Sequence, residues 1–160
     1  MERKINGIDY DYNQYYNNKL IIEGEYIEGK VNGKGKEYDE KGQLIFEGEY
    51  LNDKRWNGKG EEYNHNNKLI YEGGYLNGKR NGKGKENFYD NGKLEFEGEY
   101  LYDSKLKGKN YYRSGKLEFE GEYLYNKKWN GKGYDENNNI IYELKNGNGN
   151  VKEYGYDGVI

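Results

Sequence analysis

Apolar and polar positions alternate along this chain with period two, and no stretch keeps apolar residues at the helical spacing of i, i+3, i+4 and i+7. The segment Leu44-Ile45-Phe46-Glu47-Gly48-Glu49-Tyr50-Leu51 shows the alternation best. As a strand it sets Leu44, Phe46, Gly48 and Tyr50 on one face and Ile45, Glu47, Glu49 and Leu51 on the other. A turn rich in Asn, Asp and Lys follows, then a second strand from Gly58 to Tyr63, after which Asn64 to Asn67 turn the chain back. The pattern predicts hairpins and no helix.

This unit repeats. Glu-Gly-Glu-Tyr begins at Glu23, Glu47, Glu97 and Glu120, and Glu72-Gly73-Gly74-Tyr75 is a near copy. Its first glycines are Gly24, Gly48, Gly73, Gly98 and Gly121, so the period is 23 to 25 residues. Each is followed by a Gly-Lys-Gly motif at Gly33, Gly58, Gly82 and Gly131, which decays to Gly108-Lys109-Asn110 in the fourth repeat. The prediction is an all-β, elongated, single-layer antiparallel meander of tandem hairpins. One array covers residues 1–160, with five clear repeats over roughly 20–139 and degenerate half-repeats at 1–19 and 140–160. From Gly-Lys-Gly to the next Leu the steps Gly35–Leu44 and Gly60–Leu69 are nine residues, whereas Gly84–Leu94 is ten and predicts a bulge near Asn87-Phe88-Tyr89.

Glycine inside a strand weakens it, so its regular return marks close approach by something large. The expected visitors are the rings of Tyr26, Tyr50, Tyr75, Tyr100 and Tyr123 and of Phe46, Tyr71, Phe96 and Phe119. A ring lying over backbone buries ~150–250 Å², which lets a sheet gain apolar burial without a second layer. Charge keeps phase as well. Glu23, Glu47, Glu72, Glu97 and Glu120 on first strands and Lys34, Lys59, Lys83, Lys109 and Lys132 on second strands are expected to interleave as cross-strand pairs on a solvated face.

Composition narrows the function. Only 32% of the chain is apolar, with 21 Tyr, so a thick aliphatic core is excluded, while 17% aromatic residues exceed what a disordered chain carries. A net charge of −3 with mixed signs argues against nucleic acid and against phospholipid membranes as partners. With no Cys, no apolar leader at Met1 and no run of membrane-spanning length, the reading is cytoplasmic.

The residue set offers no catalytic constellation, and no cofactor or metal is expected. His65 stands alone in a polar turn. Asp9-x-Asp11-x-Asn13 and Asp135-x-Asn137-x-Asn139 resemble the start of a calcium loop but lack its later Gly and Glu. Gly33-x-Gly35 is half of a dinucleotide fingerprint with no helix behind it, and neither Ser104 nor Ser114 has an activating partner. Trp56 and Trp129 precede Asn-Gly where other repeats hold Val31, Arg80 and Leu106. Each ring either closes its hairpin turn or anchors a partner. Binding candidates are therefore Tyr26, Tyr50, Tyr75, Tyr100, Tyr123, Trp56 and Trp129.

The motif Tyr71-Glu72-Gly73-Gly74-Tyr75-Leu76-Asn77-Gly78-Lys79-Arg80-Asn81-Gly82-Lys83-Gly84 and its copies resemble the MORN (membrane occupation and recognition nexus) repeat over roughly Leu20 to Gly133. The resemblance implies a twisted single-layer sheet that serves as a scaffold, a dimerisation element or a module beside an enzyme. Its reputed phospholipid binding lacks a basic groove here. Bacterial antitoxin-like repeats share the same hairpin pattern and remain an alternative. So does an aromatic hairpin-repeat module for glycans or small ligands, to which Tyr15-Tyr16 and Tyr111-Tyr112 point. The expected partner is another protein or a second copy. A homodimer would use an uncovered Tyr face or an end strand such as Asn150–Tyr154, unless Met1–Tyr12 and Tyr156–Ile160 fold back as shields.

Overall fold

The computed structural model describes the backbone of residues 5–11, 20–149, 154–155 and 158–159, and side chains from residue 22 to residue 149. Tyr15-Tyr16, residues 1–4, 12, 156–157 and 160 of the shields expected at the two ends, residues 150–153 of the expected edge segment and the side chains of Asp9-x-Asp11-x-Asn13 lie outside that set. All described regular structure is strand. β1 (Ile5–Asp11), β2 (Leu20–Ile27), β3 (Lys30–Tyr38), β4 (Leu44–Leu51), β5 (Lys54–Tyr63) and β6 (Leu69–Leu76) are followed by β7 (Lys79–Asn87), β8 (Leu94–Leu101), β9 (Ser104–Tyr111), β10 (Leu117–Leu124), β11 (Lys127–Tyr134) and β12 (Ile140–Leu144). These pair antiparallel in chain order into one open 12-stranded sheet, while β13 (Tyr154–Gly155) and β14 (Gly158–Val159) pair only with each other. Strand steps of ~4.8 Å carry the large sheet through ~50 Å. Among the described residues no helix is long and apolar enough to cross a membrane.

Each hairpin within a repeat turns on two residues: Glu28-Gly29, Asn52-Asp53, Asn77-Gly78, Tyr102-Asp103 and Tyr125-Asn126, all with φ between 48° and 78°. Positive φ at both positions is the type I′ geometry, whose twist matches that of the flanking strands. Tyr102 and Tyr125 adopt it without glycine's freedom because the neighbouring hairpin holds their turns. The Asp103 amide donates to the Arg80 carbonyl at 2.9 Å, and the Lys105 amide donates to Asn126 Oδ1 at 2.7 Å. At the other margin three of the five described connections between β3 and β12 are built on a leading Asx, and two start on Phe88 and Tyr112. Asp39 Oδ1 accepts from the amides of Lys41 and Gln43, and Asn64 and Asp135 repeat this two and four residues on.

Glycines set the register. Gly24, Gly35 and Gly48 align across β2–β4, and Gly73, Gly84, Gly98, Gly108 and Gly121 align across β6–β10. Between these blocks β5 makes a two-residue step: Gly58 faces Gly48, but Gly60 faces Gly73. A Cβ added at Gly98 would stand 2.7 Å from Phe96 Cζ and 2.7 Å from Gly108 Cα. The rings of Phe46, Tyr71 and Phe119 lie as closely over Gly60, Gly84 and Gly131. The expectation of rings on glycine is met chiefly by this Phe/Tyr row; of the later Tyr row, Tyr50 lies over Gly35.

One expectation is refined and two are corrected. The extra residue of the ten-residue step lies in the turn: Phe88 and Lys93 close it, with the Gly92 amide reaching back four residues to Phe88. A bulge does fall beside Asn87, where Glu86 faces Phe96 and Asn87 faces Leu94. But a bulge recurs in every pairing from β2 to β12, for example where Leu44 faces Tyr38 and Phe46 faces Glu37, leaving Ile45 as the extra residue. That bulge rotates the strand start, so Ile45 is buried and Leu44, assigned to the inner face by simple alternation, is 44% exposed. The Glu and Lys rows do interleave, but the glutamates of β2 and β4 meet Lys36 and those of β6 and β8 meet Lys85, not Lys34 and Lys83, because the glycine register puts those lysines one pair further along.

Replacing Gly98 with Ala should force Phe96 or the β9 backbone aside and destabilise the chain by ~1–3 kcal/mol, the usual cost of overpacking. A shift of the urea midpoint reads this directly.

Candidate functional site

The sheet offers two faces to a ligand. On the first, the aromatic rings form one continuous chain. Phe46 meets Tyr50 and Tyr75 edge to face at 5.2 and 5.7 Å, Tyr71 meets Tyr75 and Tyr100 at 5.8 and 5.5 Å, and Phe96 meets Tyr100 and Tyr123 at 5.4 and 5.5 Å. Phe119 joins Tyr123 edge to face and ends the chain by stacking with Tyr142 at 6.3 Å. Tyr75 packs against both buried clusters and joins them.

A roof of charged side chains covers these rings. Arg55, Arg80, Lys105 and Lys128 lie over Phe46, Tyr71, Phe96 and Phe119 at 5.0, 4.1, 4.6 and 5.3 Å from the ring centroids. Each cation is tied to a carboxylate: Arg55 to Glu37 at 2.7 Å, Arg80 to Glu62 at 2.6 Å, Lys105 to Glu86 at 2.8 Å and Lys128 to Glu118 at 2.6 Å. The same carboxylates accept the tyrosine hydroxyls, from Tyr50 to Glu37 at 2.8 Å and from Tyr75 to Glu62 at 2.6 Å. Tyr100 reaches Glu86 at 3.4 Å, and Tyr123 donates to Asn110 at 3.2 Å.

The sequence candidates therefore fall inside the packing. Tyr50 and Tyr100 are 3% exposed and Tyr123 is 7%, with Tyr26 and Tyr75 half-buried. The uncovered apolar Tyr face expected as a dimer contact is absent, because the cation–carboxylate pairs lie on it. Trp56 packs on the turn of the following hairpin, near Gly78, whose amide donates to the Trp56 carbonyl at 2.8 Å. Trp129 stands in the same relation to Gly147. Register also moves the tryptophans out of the column they were placed in. The true column opposite the repeat tyrosines is Val31, Arg55, Arg80, Lys105 and Lys128, and Trp56, Leu106 and Trp129 are single inserted residues of bulges. Sequence reasoning missed the roof, although a signal was present: each of these residues stands five after its tyrosine.

The second face carries the Glu and Lys rows and bounds a groove of about 1370 Å³, lined by Lys59, Glu72, Lys85, Glu97, Lys109, Glu120 and the glycines between them. Lys85 meets Glu72 at 3.0 Å and Lys107 meets Glu99 at 3.3 Å. Tyr111 donates to Glu97 at 2.5 Å and Tyr134 to Glu120 at 2.7 Å. At the β5 step the alternation fails, so that Glu61 faces Glu72 and Lys59 faces Gly74. His65 Nδ1 lies 2.7 Å from the Tyr89 hydroxyl on the exposed margin. Asp135 uses its carboxylate in its own turn, and among the described residues no three His, Cys, Asp or Glu side chains gather to hold a metal.

Burial and facing charge set the titration of the roof. For Glu62, burial opposes ionisation, but hydrogen bonds from Arg80 and Tyr75 outweigh it and hold the carboxyl below the usual range. Burial pushes the Tyr71 hydroxyl up to about 12. Burial, then the facing Glu37, Glu62 or Glu86, raises Tyr50, Tyr75 and Tyr100 further.

Scanned against models of known protein families, the sequence matches none, and compared with curated proteins it finds no match.

The tyrosines make alkaline stability a test of the roof. Their protonated form is the one the folded chain holds, since an unfolded Tyr titrates near ~10 and Tyr71 near about 12. Stability should be flat below the unfolded value and fall as pH rises from there through the folded one. Spectrophotometric titration should show most phenolates appearing together with loss of β-structure. Smooth titration of folded protein at the free-tyrosine value would contradict this.

Proposed function

We propose that the chain is a non-catalytic protein-interaction and scaffolding module of the MORN-repeat type, working in the cytoplasm. One observation carries the reading: corresponding side chains do the same structural work in successive repeats. The cations over Phe46, Tyr71, Phe96 and Phe119 all serve the sheet, as do the carboxylates beside them. An active site needs convergence of unlike groups at one place, whereas this chain distributes like groups along a line. A register-locked sheet of that kind presents evenly spaced contacts to a partner. The cysteine-free sequence supports a reducing compartment. The glycan or small-ligand alternative has less support, because Tyr50, Tyr100 and Tyr123, which would stack on a sugar, are buried under the roof.

Tagged in the cells that make it, the chain should co-purify stoichiometrically with a second protein or a second copy. Lysine-directed cross-links should map to its exposed rows. Recovery as a lone monomer through every gentle purification would contradict the proposal.

A further inference from the structure

Among the described residues, eight of the twelve large apolar side chains that stay exposed lie at the margin of the two-residue turns: Ile27, Leu51, Leu76, Leu101, Tyr102, Leu106, Leu124 and Tyr125. Five of them occupy one phase, the last residue of each first strand, and are 36% to 52% exposed. Directly across each hairpin the register places a lysine opposite four of the five: Ile27 faces Lys30, Leu51 faces Lys54, Leu76 faces Lys79 and Leu124 faces Lys127, while Leu101 faces Ser104. Elsewhere this chain pairs cations with carboxylates, as Lys36, Lys85, Lys107 and Lys132 show. Lys30, Lys54, Lys79 and Lys127 are exposed and have no such partner among the described residues. The acids at this margin are Glu28, Asp53 and Asp103, and the last two are engaged in the turns, where Asp53 Oδ1 accepts from the Val31 amide at 2.7 Å and Asp103 Oδ1 from the Arg80 amide at 2.8 Å. Beside the aliphatic stripe the lysines are, Glu28 apart, the charges left without a partner of opposite sign among the described residues.

The stripe is straight where the glycines hold register. Gly73, Gly98 and Gly121 are level across β6–β10, so Leu76, Leu101 and Leu124, each three residues on, are level too. Two strand spacings separate successive leucines, ~9.6 Å. Seven residues of α-helix advance ~10.5 Å, close enough to match over three contacts. A residue three or four positions along a helix lies ~4.5–6 Å on, on the same face, which is where the sheet sets its lysines between leucines.

We infer that this margin docks an amphipathic helix of a partner protein, bearing an apolar residue at every seventh position and Glu or Asp three or four residues after it. The inference rests on the scaffolding reading and names the partner's chemistry. An anionic membrane would also meet leucine and lysine, but the row two residues inward is charge-balanced, with Glu99 between Lys83 and Lys107 and Glu122 facing Lys107. The stripe with unpaired lysines is therefore only one row wide and fits a narrow rod better than a broad surface.

The test uses the full chain and a fluorescent 21-residue peptide of three heptads, Leu-Ala-Ala-Glu-Glu-Ala-Ala. Saturable binding is expected by anisotropy, weakened roughly tenfold or more by Leu101→Ser with Leu124→Ser and, separately, by Lys79→Glu with Lys127→Glu. All four side chains are exposed, so the urea midpoint should hold, and the second pair tests the charge even where the first perturbs the turns. The same peptide with Lys for Glu should not bind. No binding at low salt, binding indifferent to both variant pairs, or binding only to phosphatidylserine vesicles would overturn the inference. If a natural partner still co-purifies and cross-links through the Glu/Lys groove, the scaffold survives and only the stripe fails. Absence of any partner removes both.

Discussion

The seating of aromatic rings on glycine backbone is the interaction on which the rest of this structure depends. A sheet with no second layer has nowhere to bury apolar surface except on itself. Phe46, Tyr71, Phe96 and Phe119 do so by lying where a Cβ would otherwise stand, and all four are almost fully removed from water. The same requirement fixes register, because a slip of one residue would set each ring on a side chain instead of a glycine. It also explains why the sheet extends by repetition. Each ring finishes its burial against a tyrosine of its own strand and one from the next repeat, so no hairpin completes its core alone.

Polar groups then finish what the rings begin. A cation over each ring excludes water from its exposed side and is held by a carboxylate. At Glu37, Glu62 and Glu86 that carboxylate also takes a tyrosine hydroxyl, while Tyr123 turns to Asn110. No buried side-chain donor or acceptor is left unpaired among the described residues. The β5 step shows how firmly this packing outranks surface charge. There the chain accepts Glu61 facing Glu72 and Lys59 facing Gly74, while Phe46 keeps its seat on Gly60 and Tyr75 keeps its contact with Phe46. Exposed pairs contribute ~0–1 kcal/mol each, less than burial of one aromatic ring, so the rings prevail.

Much of this was legible in the sequence because the repeat fixes both strand period and glycine phase. Glu-Gly-Glu-Tyr gave the strands, the faces and the rings, and the alternating Glu and Lys rows followed from the meander. The roof was harder to read. Arg55 and Arg80 carry the same role but differ by one residue in their distance from the following Asn-Gly, so alignment on Asn-Gly put Trp56 in Arg55's place. The bulge that absorbs this residue depends on three-dimensional register. Alternation alone leaves the Tyr row on an uncovered face and makes it a binding candidate; the roof buries Tyr50, Tyr100 and Tyr123, and much of the exposed apolar surface among the described residues belongs to the less conspicuous leucines at the turns.

The most direct test removes one ring. Phe96 touches Gly98, Gly108, Tyr100, Tyr123 and Lys105, whereas Leu124 is 40% exposed at the turn margin. If rings on glycine are the core of this sheet, Phe96→Ala should lower the unfolding free energy in urea by ~3–5 kcal/mol, as loss of a core aromatic does, and Leu124→Ala should change it little. Equal and small effects of the two substitutions would show that the sheet is held by something else.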